Sequence, residues 1–169
     1  MNPGKHRICL LLGSNIEPEK HLLASIQLLA QHVALVQTSS IWESKAVGSD
    51  GPNFLNAAVL AMTTRDADSL KEQVVRPLEE HLGRVRTRDK NAPRTMDIDI
   101  ILFDQQVLDP SLWHHAHRAV PVSEILPECR SETGKYLKDI ASHLVSLSPI
   151  WVRTDVSGYP FSTVFAEQQ

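Results

Sequence analysis

Cysteine is scarce in this chain: Cys9 and Cys129 are the only two in 169 residues. Two thiols so far apart neither build a disulfide scaffold nor furnish a zinc site. Cys9 lies in an apolar run and reads as a small core residue. Long apolar stretches are also missing. The run at residues 8–12 is too short for a signal-peptide core or a membrane span, so a cytoplasmic protein with no membrane partner is expected. Nor is there an excess of positive charge. A net charge of −3 gives no global field that would draw nucleic acid, so an anion site must come from local clustering. No GxxxxGK[ST] occurs, which excludes a P-loop, and serine-hydrolase and Cys–His arrangements find no support. No repeat, low-complexity tract or obligate protein partner is evident.

What is present is an ordinary globular composition, 42% hydrophobic and 22% charged. A chain of this length forms one domain that buries roughly 70% of its unfolded surface. Residues 8–12 predict a buried strand, stopped by the turn-forming Gly13-Ser14-Asn15. Pro18 suits a first helical turn, and Leu22, Ile26, Leu29 and Val33 follow at helical spacing. Residues 33–42 return to a β-rich run, a Gly/Pro-bearing loop follows, and residues 54–64 read as another strand. Asp66, Asp68 and Ser69 offer N-caps to a second helix, with Ser69 and Glu72 spaced as a capping box. Leu70, Val74 and Leu78 form its apolar face, and Pro77 predicts a kink near Arg76. Residues 95–103 form a strand, a hairpin through Asp104 leads to Val107, and Tyr136, Leu137, Ile140 and Leu144 mark a third helix. The order β-α-β-β-α-β points to an α+β fold, a ferredoxin-like α/β sandwich with a mostly antiparallel sheet. Residues 1–149 are taken as the catalytic domain, and 150–169 as an extension that is either an extra strand or loosely docked.

The chemistry concentrates in residues 83–103, GRVRTRDKNAPRTMDIDIILF. Asp97 and Asp99 interrupt an otherwise apolar strand, and alternation puts both carboxylates on one side, roughly 6–7 Å apart. Burying an ionised carboxylate without a partner costs several kcal/mol, so the pair needs something to hold. Just before it lie Arg84, Arg86, Arg88, Lys90 and Arg94 against the single acid Asp89. A basic loop alone reads as a solvated face. Leading into paired acids, it reads as a polyphosphate site: guanidinium forks suit phosphate, and carboxylates at this spacing suit Mg²⁺. The WHHAHR of residues 113–118 lacks acid or Cys partners for zinc, and fits added phosphate contacts better.

These segments, with LLGSN (11–15), SSIWESKAVGSDGPNFLNAAV (39–59), PVSEILPE (121–128) and TGKYLKDI (133–140), resemble the 6-hydroxymethyl-7,8-dihydropterin pyrophosphokinases. The likeness runs from about residue 7 to 144. It implies transfer of diphosphate from ATP to the pterin hydroxymethyl oxygen, releasing AMP in folate biosynthesis. It also implies two Mg²⁺ on Asp97 and Asp99, and phosphoryl clamps at Arg84 and Arg94. Glu79, Arg86, Lys90, Ile100, His115 and Arg118 then fall on the nucleotide side, with His115 preferred over His114. Ser44, Val47, Phe54 and Asn56 fall on the pterin side. The partners implied are ATP and a reduced pterin. The sequence departs from the family at Ser44-Lys45-Ala46, at Asn91, and after Arg118, where the aromatic expected to close the second side of the pterin pocket is missing. Two other functions fit the same residues: diphosphate transfer to an altered acceptor, and nucleotide or pterin binding without turnover.

Overall fold

The first apolar run becomes the centre of the molecule. In a computed structural model, which describes residues 4–160 and Phe165, strand β1 (His6–Ser14) pairs antiparallel with β4 (Phe54–Thr63) on one side and β5 (Asp97–Phe103) on the other. Alternation explains why β1 is apolar without a break from Ile8 to Leu12. Ile8, Leu10 and Leu12 enter one core, while Cys9 and Leu11 enter a second core on the opposite face. The first core is closed by helix α1 (Pro18–Leu29) through Leu22, Ile26 and Leu29. Leu70, Val74 and Leu78 of the next helical segment complete it. Each such side chain contributes about 1.5–3 kcal/mol by leaving water.

The β-rich run at 33–42 is two strands rather than one. β2 (Ala34–Thr38) and β3 (Ile41–Ser44) both pair with β4, along Val59 to Met62 and Phe54 to Asn56 respectively. The break falls at Ser39, whose hydroxyl accepts from Ala58 N at 2.8 Å. Taken as one interrupted strand, β2/β3 completes the order β5-β1-β4-β2/β3 of the expected ferredoxin-like sandwich. β6 (Gln106–Val107) lies beyond β5.

The second helix starts at Asp66, not Ser69. The Asp66 carboxylate accepts from Ser69 N at 2.8 Å, so Ser69 lies inside helix α2 (Ala67–Leu70). Between it and α3 (Arg76–His81) runs a π-helical turn, Lys71–Val75. That wider turn lies just before Pro77, which has no N–H to offer, where the sequence predicted a kink.

Two elements were hidden in the sequence. A 3-10 turn (Pro110–Trp113) and helix α4 (Ala116–Ile125) cover the second face, and Pro121 within α4 masked it as a break. Ala116, Ala119 and Val122 of α4, with Leu137 and Ala141 of α5 (Leu137–Leu147), close the second core. After Pro149 comes an added strand, β7 (Ile150–Arg153), paired with β3. Arg153 then joins Glu43 at 3.0 Å, Glu19 at 3.3 Å and Asp155 at 2.7 Å. Val156 and Tyr159 sit in the first core; the rest of the extension, 161–164 and 166–169, lies outside the described residues. Among the described residues no helix is long and apolar enough to cross a membrane.

Candidate active site

Strand β5 sits beside β1, with Asp97 opposite Gly13 and Asp99 opposite Leu11. Ile98 between them is buried in the first core, which turns both carboxylates to the other side of the sheet. The two acids stand where two clefts meet. The larger, of about 680 Å³, is lined by Glu79, Arg84, Arg86, Ile100 and Asp109, among others. The smaller, of about 310 Å³, is lined by Gly13, Ser44, Val47, Phe54, Asn56, His115 and His117, among others. Lys90, Arg94, Asp97, Asp99 and Arg118 border both. Every site residue expected from the sequence therefore lines one cleft or the other. His115, expected on the nucleotide side, lies on the smaller cleft.

Guanidinium groups answer the question of what the acids hold. Asp97 accepts on Oδ1 from Arg84 at 2.5 Å and on Oδ2 from Arg94 at 2.9 Å. Asp99 accepts from Arg118 Nη1 at 2.9 Å. Arg84 also donates to Glu79, with Arg86 3.5 Å from the same carboxylate. Burial pushes the Asp97 carboxyl up, but Arg84 and Arg94 outweigh it and hold the group below its ordinary range. Asp99 goes the other way: burial and the negative charge of Asp97 push it up, and Arg118 only partly offsets them. Glu79 is raised too, by burial first, with Arg84 opposing. One aspartate is thus a secured anion, while ionisation of its neighbour is disfavoured.

The donor set suits a hard cation. Among the described residues no three His, Cys, Asp or Glu gather as a metal cluster, which argues against an all-protein zinc or calcium cage. Two carboxylates opening onto a basic cleft match Mg²⁺, which keeps several waters and takes its other ligands from a polyphosphate. A divalent charge there would also relieve the crowding that raises Asp99.

The smaller cleft combines an aromatic face with amide and imidazole groups. The Asn56 amide nitrogen donates to Trp42 O at 3.1 Å and to Ser44 Oγ at 2.9 Å. With both donor hydrogens used, its Oδ1 is left as an acceptor. Phe54 supplies an aromatic face on the same cleft. The sequence lacks a second aromatic after Arg118; two imidazoles, His115 and His117, line the same cleft with ring centres 5.4 Å apart. Burial, with Arg118 and His115 nearby, pushes His117 down to about 4, so at neutral pH it is uncharged.

Three further residues escaped sequence reasoning. Buried Asn15 receives Arg94 N on its side chain at 2.8 Å and donates to Pro52 O at 3.2 Å. Its own N–H donates to Arg94 O at 3.1 Å, so the residue ties the basic loop to the loop before Phe54. Asp109 accepts from Arg118 Nη1 at 2.9 Å. Gly48, at φ 73°, touches the basic loop so closely that a Cβ would stand 2.9 Å from Asn91 Nδ2. Only the turn-forming character of Gly13-Ser14-Asn15 hinted at any of these.

The chain is similar to known proteins in sequence and in fold. A family model described as 7,8-dihydro-6-hydroxymethylpterin-pyrophosphokinase (HPPK) matches residues 9–127. A Bacillus subtilis protein named 2-amino-4-hydroxy-6-hydroxymethyldihydropteridine pyrophosphokinase is 34% identical over 135 residues, covering 73% of this chain and 80% of that one. A Pseudomonas aeruginosa protein of the same name is 32% identical over 146 residues, covering 79% of this chain and 89% of its own. Among solved structures, a Plasmodium falciparum HPPK-DHPS crystallised with pteroate superposes with a TM-score of 0.68 at 12% identity. That match covers 85% of this chain and 44% of the Plasmodium chain, and it supports the fold. The family match over residues 9–127 and relatives at 32–34% identity together show that the chain belongs to the 7,8-dihydro-6-hydroxymethylpterin-pyrophosphokinase family.

Proposed function

We propose that this protein transfers the β- and γ-phosphates of ATP as a unit to the hydroxymethyl oxygen of 6-hydroxymethyl-7,8-dihydropterin, releasing AMP. The observation that carries this reading is the meeting of the two clefts at Asp97 and Asp99. A nucleotide polyphosphate fits the larger, arginine-walled cleft. A planar heterocycle fits the smaller one, between the Phe54 face and the imidazoles, with a ring N–H donating to Asn56 Oδ1. A substituent pointing out of the smaller cleft then arrives beside the phosphates, where positioning supplies most of the rate.

Asp97 and Asp99 would hold Mg²⁺, up to the two ions the family resemblance implies, and the metal supplies charge neutralisation and orientation of the polyphosphate oxygens. The protein's own groups do the rest. Arg84 and Arg94, released from Asp97, present fork donors to oxygens on the transferred group, where negative charge redistributes during displacement. Arg118 does the same from α4. Lys90 borders both clefts and Arg86 lines the larger, so their charges would add to the attraction for the polyphosphate. The basic loop, tied back by Asn15 and packed against Gly48, forms a roof over the reacting groups that keeps water from competing for the diphosphate.

The test is product analysis. Protein, Mg²⁺, ATP and 6-hydroxymethyl-7,8-dihydropterin should give AMP only when the pterin is present, and Asp97→Asn or Asp99→Asn should abolish it in a folded protein. ADP as the product, or full activity in either variant, would overturn the reading.

A further inference from the structure

Arg118 reaches two carboxylates from one nitrogen. Its Nη1 lies 2.9 Å from Asp99 Oδ2 and 2.9 Å from Asp109 Oδ2. Asp109 is itself fixed in place. Its other oxygen, Oδ1, accepts from Ser111 N at 3.0 Å and from Ser111 Oγ at 2.5 Å, capping the 3-10 turn. The carboxylate thus has one oxygen committed to the turn and one aimed at the guanidinium. The same pattern recurs across the site, where Arg84 is shared between Asp97 and the outlying acid Glu79. Each aspartate of the pair is therefore held by an arginine that already has a second acid to go to.

A cation landing on Asp99 meets a competitor there, because the guanidinium occupies one of the oxygens it needs. We propose that Asp109 is a positioning residue: it draws Arg118 off Asp99 when a divalent cation binds, and keeps the guanidinium in the larger cleft facing the polyphosphate. This rests on the reading of Asp97 and Asp99 as metal ligands. The handover takes place between two acceptors equally distant from Nη1, so it needs no backbone movement. Without Asp109, Arg118 has Asp99 as its sole carboxylate, and a cation must break that ion pair outright.

Asp109→Asn is the direct test. The asparagine Oδ1 can keep the bonds to Ser111, while an NH₂ replaces the oxygen that faced Arg118. Free Mn²⁺ is titrated by electron paramagnetic resonance in the presence of a non-hydrolysable ATP analogue, a readout independent of turnover. The half-saturating Mn²⁺ should rise about two- to fivefold, the range of a partly exposed ion pair. In an Arg118→Met background, Asp109→Asn should leave Mn²⁺ binding unchanged, because its effect runs through Arg118. If Asp109→Asn does not fold, Ser111→Ala, which loosens the aim of Asp109, must give a smaller shift in the same direction. A wild-type titration in Asp109→Asn, or an equal shift with and without Arg118, overturns the inference. If Asp99→Asn also binds Mn²⁺ as wild type does, the metal assignment falls with it.

Discussion

Replacing Gly13 with alanine should separate stability from function in opposite directions. Gly13 sits in β1 opposite Asn56 on one side and Asp97 on the other, and it lines the smaller cleft. A Cβ there would stand 3.6 Å from Asn56 Oδ1 and 3.8 Å from Phe54 Cδ1, both ordinary contact distances. The residue is not among the glycines with positive φ, so alanine meets no backbone strain. Restricting the unfolded chain then contributes about 0.4–1 kcal/mol of stability, a rise of roughly 1–4 °C in Tm for a chain of this size. The same methyl projects into the floor between the ring face and the amide acceptor. A ring lifted off Phe54 forfeits stacking of about 0.5–1.5 kcal/mol, which is roughly a two- to tenfold loss of pterin affinity. Binding of ATP, in the other cleft, should not change. Calorimetric titration with the pterin and with an ATP analogue, beside a thermal melt, reads all three. Wild-type pterin affinity in a variant that melts normally would refute the placement of the ring over Gly13. A large destabilisation would refute the packing argument itself.

Asp97→Asn and Asp99→Asn should both lose turnover by at least about a hundredfold, yet change stability with opposite sign. Asp97, held below its ordinary range by Arg84 and Arg94, stabilises the fold above its unfolded pKa of about 3.9, and that contribution fades as pH falls through the folded value. Asp99 is raised by burial and by Asp97, so its ionisation destabilises the fold at neutral pH. Asp99→Asn should therefore melt higher than wild type at pH 7, with the gain vanishing below about pH 4, and melts across pH check both. Asn15→Ala should cost about 1–3 kcal/mol in urea unfolding through its lost buried bonds, and should lower transfer by loosening Arg94. Cutting the chain after Pro149 should cost several kcal/mol, because it removes β7, the Arg153 cluster and the buried Val156 and Tyr159. An unchanged urea midpoint in the truncated chain would show that the extension is dispensable to the fold.

Much of the architecture was legible because period and punctuation agree in this chain. Leu22, Ile26 and Leu29 mark α1 at helical spacing, and Asp97 and Asp99 mark one side of β5 by alternation. What stayed hidden was set by tertiary partners. The break between β2 and β3 depends on Ser39 reaching Ala58 across the sheet, a contact that no local pattern encodes. Helix α4 was masked by Pro121 and by the run of histidines before it. The Arg-rich loop and the acid pair were legible as one site because their charges need each other. The roles of Asn15 and Asp109 were not, since each acts through an arginine distant from it in the chain or beyond a turn. The sequence shows no second aromatic after Arg118, and the imidazoles that line the cleft, His115 at the N-cap of α4 and His117 within it, belong to a helix the sequence did not reveal.

The central claim is that a nucleotide polyphosphate and a pterin meet across Asp97 and Asp99, and that two phosphates move together. ATP labelled at the γ-phosphate tests it most directly. With Mg²⁺ and 6-hydroxymethyl-7,8-dihydropterin, the label should appear in the pterin product together with an equal amount of unlabelled AMP. Label recovered as inorganic phosphate, or a pterin monophosphate formed alongside ADP, would contradict the account.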